Sequence, residues 1–216
     1  MVKDPCTYGD DYIYTEDEVD EIVTWLTAPQ YPTLFHMYDE EPDVYKKYDY
    51  YGLFSDIQTM TNGEEVIGFT ATFTTNSPYA WTETKIVYYT ATTHDTTTFT
   101  IQVRTSEPNS PIYPIITIVP NIDADLDDGH RVPITIANDV DGKELNLRLH
   151  KLRTIIDSQK AMVYGTNGMF TFDDIGIEDV GEIYWPKLYN GANDISITGQ
   201  ADITISFREP RKVGAY

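Results

Sequence analysis

From Thr33 onward the chain consists almost entirely of short runs rich in Val, Ile, Thr, Tyr and Phe, separated by turn-forming residues. Runs of this kind at intervals of about 8–12 residues suit a pleated, half-buried surface and point to a β-sandwich or barrel. The predicted strands are Thr33–Tyr38, Tyr51–Met60, Glu65–Thr75, two within Thr82–Thr105, Ile112–Val119, Val132–Ala137, Leu145–His150, Thr154–Ile156, Ala161–Tyr164, Glu182–Tyr189, Asp194–Thr198 and Ala201–Arg208. Asn62-Gly63 joins two of them as a hairpin, because the preferred two-residue turn needs positive φ at both central positions. In the second arm Ile67, Phe69, Ala71 and Phe73 should face a core. Val66, Gly68, Thr70, Thr72 and Thr74 then face water or a neighbouring subunit. Thr93-His94-Asp95, Asp141-Gly142 and Asn190-Gly191 supply further turns, and Ser106–Pro111 is a break.

One segment has a different period. Thr15-Glu-Asp-Glu18 is a capping box, with a hydroxyl to cap a free N–H and a carboxylate three residues on. Val19, Ile22, Val23 and Leu26 follow at the spacing of one helical face. Acids fill the first turn, where the helix dipole favours them, and Pro29 and Pro32 end the pattern. A helix is predicted over Glu16–Ala28.

The 216 residues can form one large β domain or two small ones, the most economical boundary falling within residues 83–111. With 35 Asp and Glu against 15 Lys and Arg, the net charge is −20, which opposes a protein that grips duplex phosphates. The acids form either a solvated surface or a wall that repels nucleic acid. No apolar run approaches the roughly 18 residues of a membrane span, and the acidic opening is unlike a signal peptide. A soluble chain without an export signal or membrane contact is therefore expected. The single Cys6 excludes an internal disulfide framework and any Cys-rich zinc site.

Motifs that could carry chemistry are weak. Asn121-Ile-Asp123-Ala-Asp125-Leu-Asp127-Asp128-Gly129 resembles the start of an EF-hand loop, but its Gly falls one position late and Ile134 stands where the bidentate Glu belongs. His36, His94, His130 and His150 show no metal-binding spacing, and Cys6 with His36 is thin ground for a nucleophile. A glycosidase needs two carboxylates across a cleft, and among 35 acids chance pairs carry no information. No catalytic, cofactor-binding or metal-binding residue is assigned, no cofactor is expected, and the chain reads as a non-enzyme. The aromatic content says more: Tyr38, Tyr45, Tyr48, Tyr50 and Tyr51 cluster, while Trp81 and Trp185 lie near strand ends. Such rings serve a protein interface, a plain core or a sugar-binding face.

Beyond these readings the chain resembles the distal tail proteins (Dit, phage tail components) of siphophages and tail-like particles of Gram-positive hosts. The likeness begins with Glu21-Ile22, Trp25-Leu26 and Leu34–Asp39, then Tyr50-Tyr51-Gly52-Leu53-Phe54 as a Y-x-G-x-F strand. Gly63-Glu64, Ile67-Gly68-Phe69, Phe73 and the closing Ser77-Pro78-Tyr79-Ala80 match the hairpin arm of that family. Ile134–Asn138 with Asp141-Gly142, Ile155-Ile156-Asp157, Leu188-Tyr-Asn-Gly191-Ala-Asn193 and Arg211-Lys212-Val213-Gly214 match its carboxy-terminal part.

The resemblance implies a mainly β chain. Residues 1–87 would form a ring-building, partly split-barrel β domain with the helix near 16–28. Residues 88–208 would form a galectin-like, jelly-roll β-sandwich, and residues 209–216 a tail. The family's first strands, which usually precede the helix, are expected to be absent. Implied partners are further copies of the chain in a hexameric ring, the tail tube, the tail tip and a receptor-binding protein. DNA would pass through the acidic lumen without specific binding. The implied location is the phage tail tip of the virion, after synthesis in the bacterial host cytoplasm. Tyr51, Phe54, Tyr79 and Trp81 are the expected interface residues. The competing reading is a carbohydrate-binding module that captures cell-wall glycan through Trp185 or the Tyr cluster.

Overall fold

The computed structural model describes residues 12–36, 48–121, 131–150, 152–165, 168–177 and 183–212. The acidic loop from residue 122 to 130 with His130, and Cys6, Tyr38, Tyr45, Val213 and Gly214, lie outside the described residues. The chain divides into two compact units: residues up to Trp81 together with Lys212, and Thr82–Arg211.

The first unit opens with helix α1, Glu16–Thr27. Its capping box forms as predicted: the Glu18 N–H donates to the Thr15 hydroxyl at 3.3 Å, and the Thr15 N–H donates to the Glu18 carboxylate at 2.9 Å. Glu16, Asp17 and Glu18 sit at the positive end of the helix dipole. The helix stops ahead of Pro29, which has no N–H for another helical bond.

Four antiparallel strands follow: β1 (Thr33–His36), β2 (Asp49–Asn62), β3 (Glu65–Thr75) and β4 (Ala80–Trp81). Strand β2 is the spine. Asp49 pairs with both His36 and Trp81, and Gly52 with both Thr33 and Thr75, so β1 lies along one edge and β4 and β3 along the other.

The β2–β3 hairpin departs from the predicted turn. The register pairs Asn62 with Glu65, leaving Gly63-Glu64 as the loop, and only Gly63 has a positive φ, at 67°. That is the type II′ pattern, in which Gly comes first and its missing Cβ permits the left-handed geometry.

The predicted alternation in β3 also holds only in part. Phe69 is buried and Phe73 half-buried, but Ala71 is exposed and Gly68 buried. The cause lies in β2. Its register shifts between Ser55 and Gln58, with Asp56 at φ 51°, so Ala71 lies opposite a bulge where the ladder is interrupted.

The second unit is a β-sandwich. Its strands are β5 (Lys85–Ala91), β6 (Thr97–Val103), β7 (Ile115–Pro120), β8 (Val132–Asn138), β9 (Lys143–Leu149), β10 (Thr154–Asp157), β11 (Met162–Gly165), β12 (Gly168–Met169), β13 (Gly191–Thr198), β14 (Ala201–Phe207) and β15 (Pro210–Arg211). A six-stranded sheet runs β12-β11-β10-β7-β14-β5, and a four-stranded sheet runs β6-β13-β8-β9. Every second residue points inward, so Ile116, Ile118, Ile156, Ile203 and Ile205 of one sheet share a core with Ile134, Ile136, Leu145, Leu147, Ile195 and Ile197 of the other.

Residues Ile183–Tyr189, predicted as strand, form none. Pro186 removes a ladder donor there, and only Leu188 makes an isolated bridge, to Ile112. The β13–β14 turn depends on Gly199, at φ 110°, where a Cβ would lie 2.4 Å from the Pro133 carbonyl oxygen.

Candidate functional site

Among the described residues no group of three or more His, Cys, Asp or Glu is placed to hold a metal ion. No helix among them is long and apolar enough to cross a membrane. The recess in the second unit is lined by Ile116, Ile136, Ile195 and Ile205 with Tyr184 and Lys187, a packing seam between the inner faces of the two sheets.

Beside it, Asp141 of the β8–β9 turn receives two phenols on one oxygen: Tyr184 donates at 2.8 Å and Tyr189 at 2.9 Å. Burial, then the adjacent carboxylate, pushes both phenols up, Tyr189 to about 12 and Tyr184 further. A raised native pKa means that this contribution to stability is fully present below the ordinary tyrosine value of 10.0 and is lost as pH rises through the native value. Urea midpoints should therefore fall between pH 10 and about 12. Asp141→Asn should bring the absorbance titration of Tyr189 back towards 10, which tests the assignment.

The surfaces are more informative than any cavity. Among its described residues the first unit buries little of its apolar surface. Not one side chain of α1 is buried, and Val19, Ile22, Val23 and Leu26 are only half covered. Trp25 is 64% exposed, Tyr31 78% and Leu34 53%.

The predicted interface residues separate onto two faces of the sheet. Register places Tyr51 opposite Leu34, and Trp81 opposite Asp49, which also pairs with His36, all on one face. His36 Nδ1 lies 2.6 Å from the Asp49 carboxylate. Phe54 lies on the other face, packed edge-on against Phe35 at 5.2 Å and tilted against Phe73 at 4.8 Å. Tyr79 donates its N–H to the Ser77 hydroxyl at 3.2 Å, and the Lys212 ammonium stands 5.7 Å over its ring. All four predicted residues are half-buried.

Sequence reading passed over Trp25, Tyr31 and Leu34, the most exposed large apolar groups of this unit. A signal existed for two of them: Trp25 falls outside the Val19–Leu26 stripe, and Tyr31 sits between Pro29 and Pro32, where no regular element could cover it. Of the rings considered for sugar that lie among the described residues, Trp185 is packed against the sandwich core, and Tyr48, Tyr50 and Tyr51 are half-buried.

No curated protein matches the chain. Among solved structures it is similar to the Dit protein of phage SPP1, described as a paradigm of the hub adsorption apparatus of phages that infect Gram-positive bacteria. The match has a TM-score of 0.58 at 15% identity, and it covers 91% of this chain and 73% of that one. The likeness establishes a shared fold. A family model described as a phage tail protein N-terminal domain matches residues 1–77, and one described as a phage tail C-terminal domain matches residues 79–207. With both halves matched in order, the chain belongs to the phage tail protein family.

Proposed function

We propose that the chain is a non-enzymatic structural component of the virion, the distal hub that joins a tail tube to its tip. Copies of the first unit close into a ring of six by heterologous contacts, and the second unit is the attachment module. The observation that carries this reading is the incomplete burial of the first unit. A helix with no buried side chain, its own Trp25 in water and Tyr31 and Leu34 exposed after it, gains most by covering those groups with another copy. The sandwich, in contrast, already has a full core. The net charge of −20 fits a conduit: acids facing the lumen let DNA slide without sticking.

The fold of the SPP1 Dit protein supports the reading, since its description places that protein in a hub adsorption apparatus. Tyr51, Phe54, Tyr79 and Trp81 belong to the same proposal as secondary contacts, with Phe54 acting through the Phe35–Phe73 cluster.

The test is assembly. The purified chain should show a six-fold annulus by negative-stain microscopy and sediment as a closed oligomer. Trp25→Asp combined with Tyr31→Asp should yield monomers that still unfold in one cooperative transition, because both side chains are exposed in the single chain. Tyr79→Ala should weaken assembly more than folding. A monomeric wild-type chain, or intact rings from the double variant, would overturn the proposal.

A further inference from the structure

Asn-Gly and Asp-Gly pairs recur along the sequence, and the fold treats them unequally. Such pairs share a reaction. Glycine carries no Cβ, so its backbone nitrogen can approach the side-chain carbonyl carbon of the residue before it. Asp128-Gly129 and Asn167-Gly168 do not lie wholly among the described residues. Asn62-Gly63, Asp141-Gly142 and Asn190-Gly191 do, and they can be compared atom by atom.

Two of the three are tied down. The Asn190 side-chain oxygen accepts the Thr105 N–H at 3.0 Å, and Gly191 opens β13, paired with Val103 of β6. The Gly191 carbonyl also accepts from the Asn193 amide at 3.3 Å. At Asp141-Gly142 the nitrogen itself is engaged. The Gly142 N–H donates to the Asn138 carbonyl at 3.0 Å, while the Asp141 carboxylate accepts the Tyr184 and Tyr189 phenols. Neither pair can react without first breaking hydrogen bonds of the sandwich.

Asn62-Gly63 has none of these restraints. It forms the tip of the β2–β3 hairpin, where every residue from Gln58 to Glu65 is exposed. Among the described residues no hydrogen bond holds the Asn62 amide, and a Cβ on Gly63 would meet nothing within 4 Å. In a two-residue turn the closing bond joins the first and fourth residues, which leaves the Gly63 nitrogen outside it. The ladder behind the tip is weak as well. Its register is irregular between Met60 and Thr61, so only the Thr61–Val66 and Asn62–Glu65 rungs lie beyond the irregularity. Val66 is held from outside by the Tyr14 N–H at 2.8 Å, which confines any opening to the tip.

We propose that Asn62-Gly63 is a site of spontaneous succinimide formation and deamidation, left open by the fold that closes Asn190-Gly191. The reaction needs only water and base. Base removes the Gly63 N–H proton and the nitrogen bonds to Cγ of Asn62. The Cγ–Nδ2 bond then breaks, and ammonia leaves with a proton taken from water. A second water opens the five-membered imide at either carbonyl. Hydrolysis at Cγ restores the ordinary main chain with a side-chain carboxylate. Hydrolysis at the backbone carbonyl leaves isoaspartate, whose main chain runs through the side-chain carbons. Nothing is oxidised or reduced.

Either product changes the hairpin. Asn62 stands directly across from Glu65, so a new carboxylate there faces a like charge on the opposing strand and destabilises that rung. Isoaspartate also lengthens one arm by a backbone atom, which a two-residue turn does not accommodate. Deamidation therefore frays the hairpin from its tip towards the Tyr14–Val66 bond, and it does so with age. The inference does not depend on the hub reading.

Peptide mapping of the full chain, kept folded at mildly alkaline pH, is the test. The fragment containing Asn62 should gain the mass of an amide-to-acid exchange and accept methyl groups from an isoaspartyl methyltransferase. It should convert at least about tenfold faster than the fragment containing Asn190, whose reaction waits for a larger opening of the fold. In urea, with the fold removed, the two fragments should convert at similar rates. Asn62→Gln should keep the fold and stop the reaction at this position, because the larger ring it requires closes far more slowly. An Asn62 that stays an amide in the folded chain while the unfolded chain converts overturns the proposal. So do equal rates for Asn62 and Asn190 in the folded chain. A difference between them that persists in urea also overturns it, since local sequence and not the fold would then set the rate.

Discussion

Glu209→Ala should destabilise the second unit by about 3–5 kcal/mol, the usual cost of breaking a buried ion pair from one side. Its melting temperature should then fall by about 10 °C or more. Glu209 is fully buried, yet its carboxylate is saturated: Lys85 Nζ at 2.7 Å, Arg211 Nη2 at 2.6 Å and the Arg104 N–H at 2.9 Å. Its backbone is held too, since the Thr82 N–H donates to the Glu209 carbonyl and the Glu209 N–H donates to the Thr82 hydroxyl, both at 3.0 Å. The start of β5, the end of β6 and the segment entering β15 thus converge on one side chain. Truncation leaves two cations and an amide without their acceptor. Glu209→Gln, which keeps an acceptor oxygen and the volume, should lose less. Calorimetry on the three proteins checks the order; an alanine variant within 1 kcal/mol of wild type, on the order of a surface change, would refute the assignment.

Asn193→Ala should cost about 3 kcal/mol or more, because several buried groups lose partners at about 1–3 kcal/mol each. The Asn193 amide donates to the Tyr189 carbonyl at 2.7 Å. Its oxygen accepts from the Tyr189 N–H at 2.7 Å and from the Asn138 amide at 3.0 Å. Asn138 in turn donates to the Lys187 carbonyl at 2.8 Å. This is how residues Ile183–Tyr189, which belong to no strand, are fastened to the sandwich: side-chain amides replace the missing ladder. The matched control is Thr98→Ala, whose hydroxyl bond lies on the exposed face and whose loss should stay within about 0.5 kcal/mol. Urea unfolding of both variants decides; equal effects would show that the amide network carries nothing special.

Much of the architecture was legible because its signals are local. The capping box, the Val19–Leu26 stripe and the turn at Gly142 are short-range patterns whose physics needs no distant partner. The errors share one cause, which is that a propensity is overridden by something further along the chain. Ile183–Tyr189 has strand composition, but Pro186 and the Asn193 network hold it otherwise. Ala71 sits on the predicted inward period and is exposed because the bulge lies in the other arm of the hairpin. Tyr51 and Phe54 are a separate case: three residues apart in one strand, they occupy opposite faces by the local alternation of side chains.

By itself, then, the sequence determined the class of fold, the helix over Glu16–Thr27, the acidic character and, through ordered motifs, the resemblance to distal tail proteins. These follow from period, turn chemistry and composition, each set within a few residues. Only the tertiary structure decided which surfaces are spare. The exposure of Trp25 and Tyr31 depends on how the helix and the segment after it pack, and the burial of Glu209 on the strand ends that converge on it. Register is fixed by long-range pairing, and a strand's outward face looks the same in sequence whether water or another protein is meant to cover it.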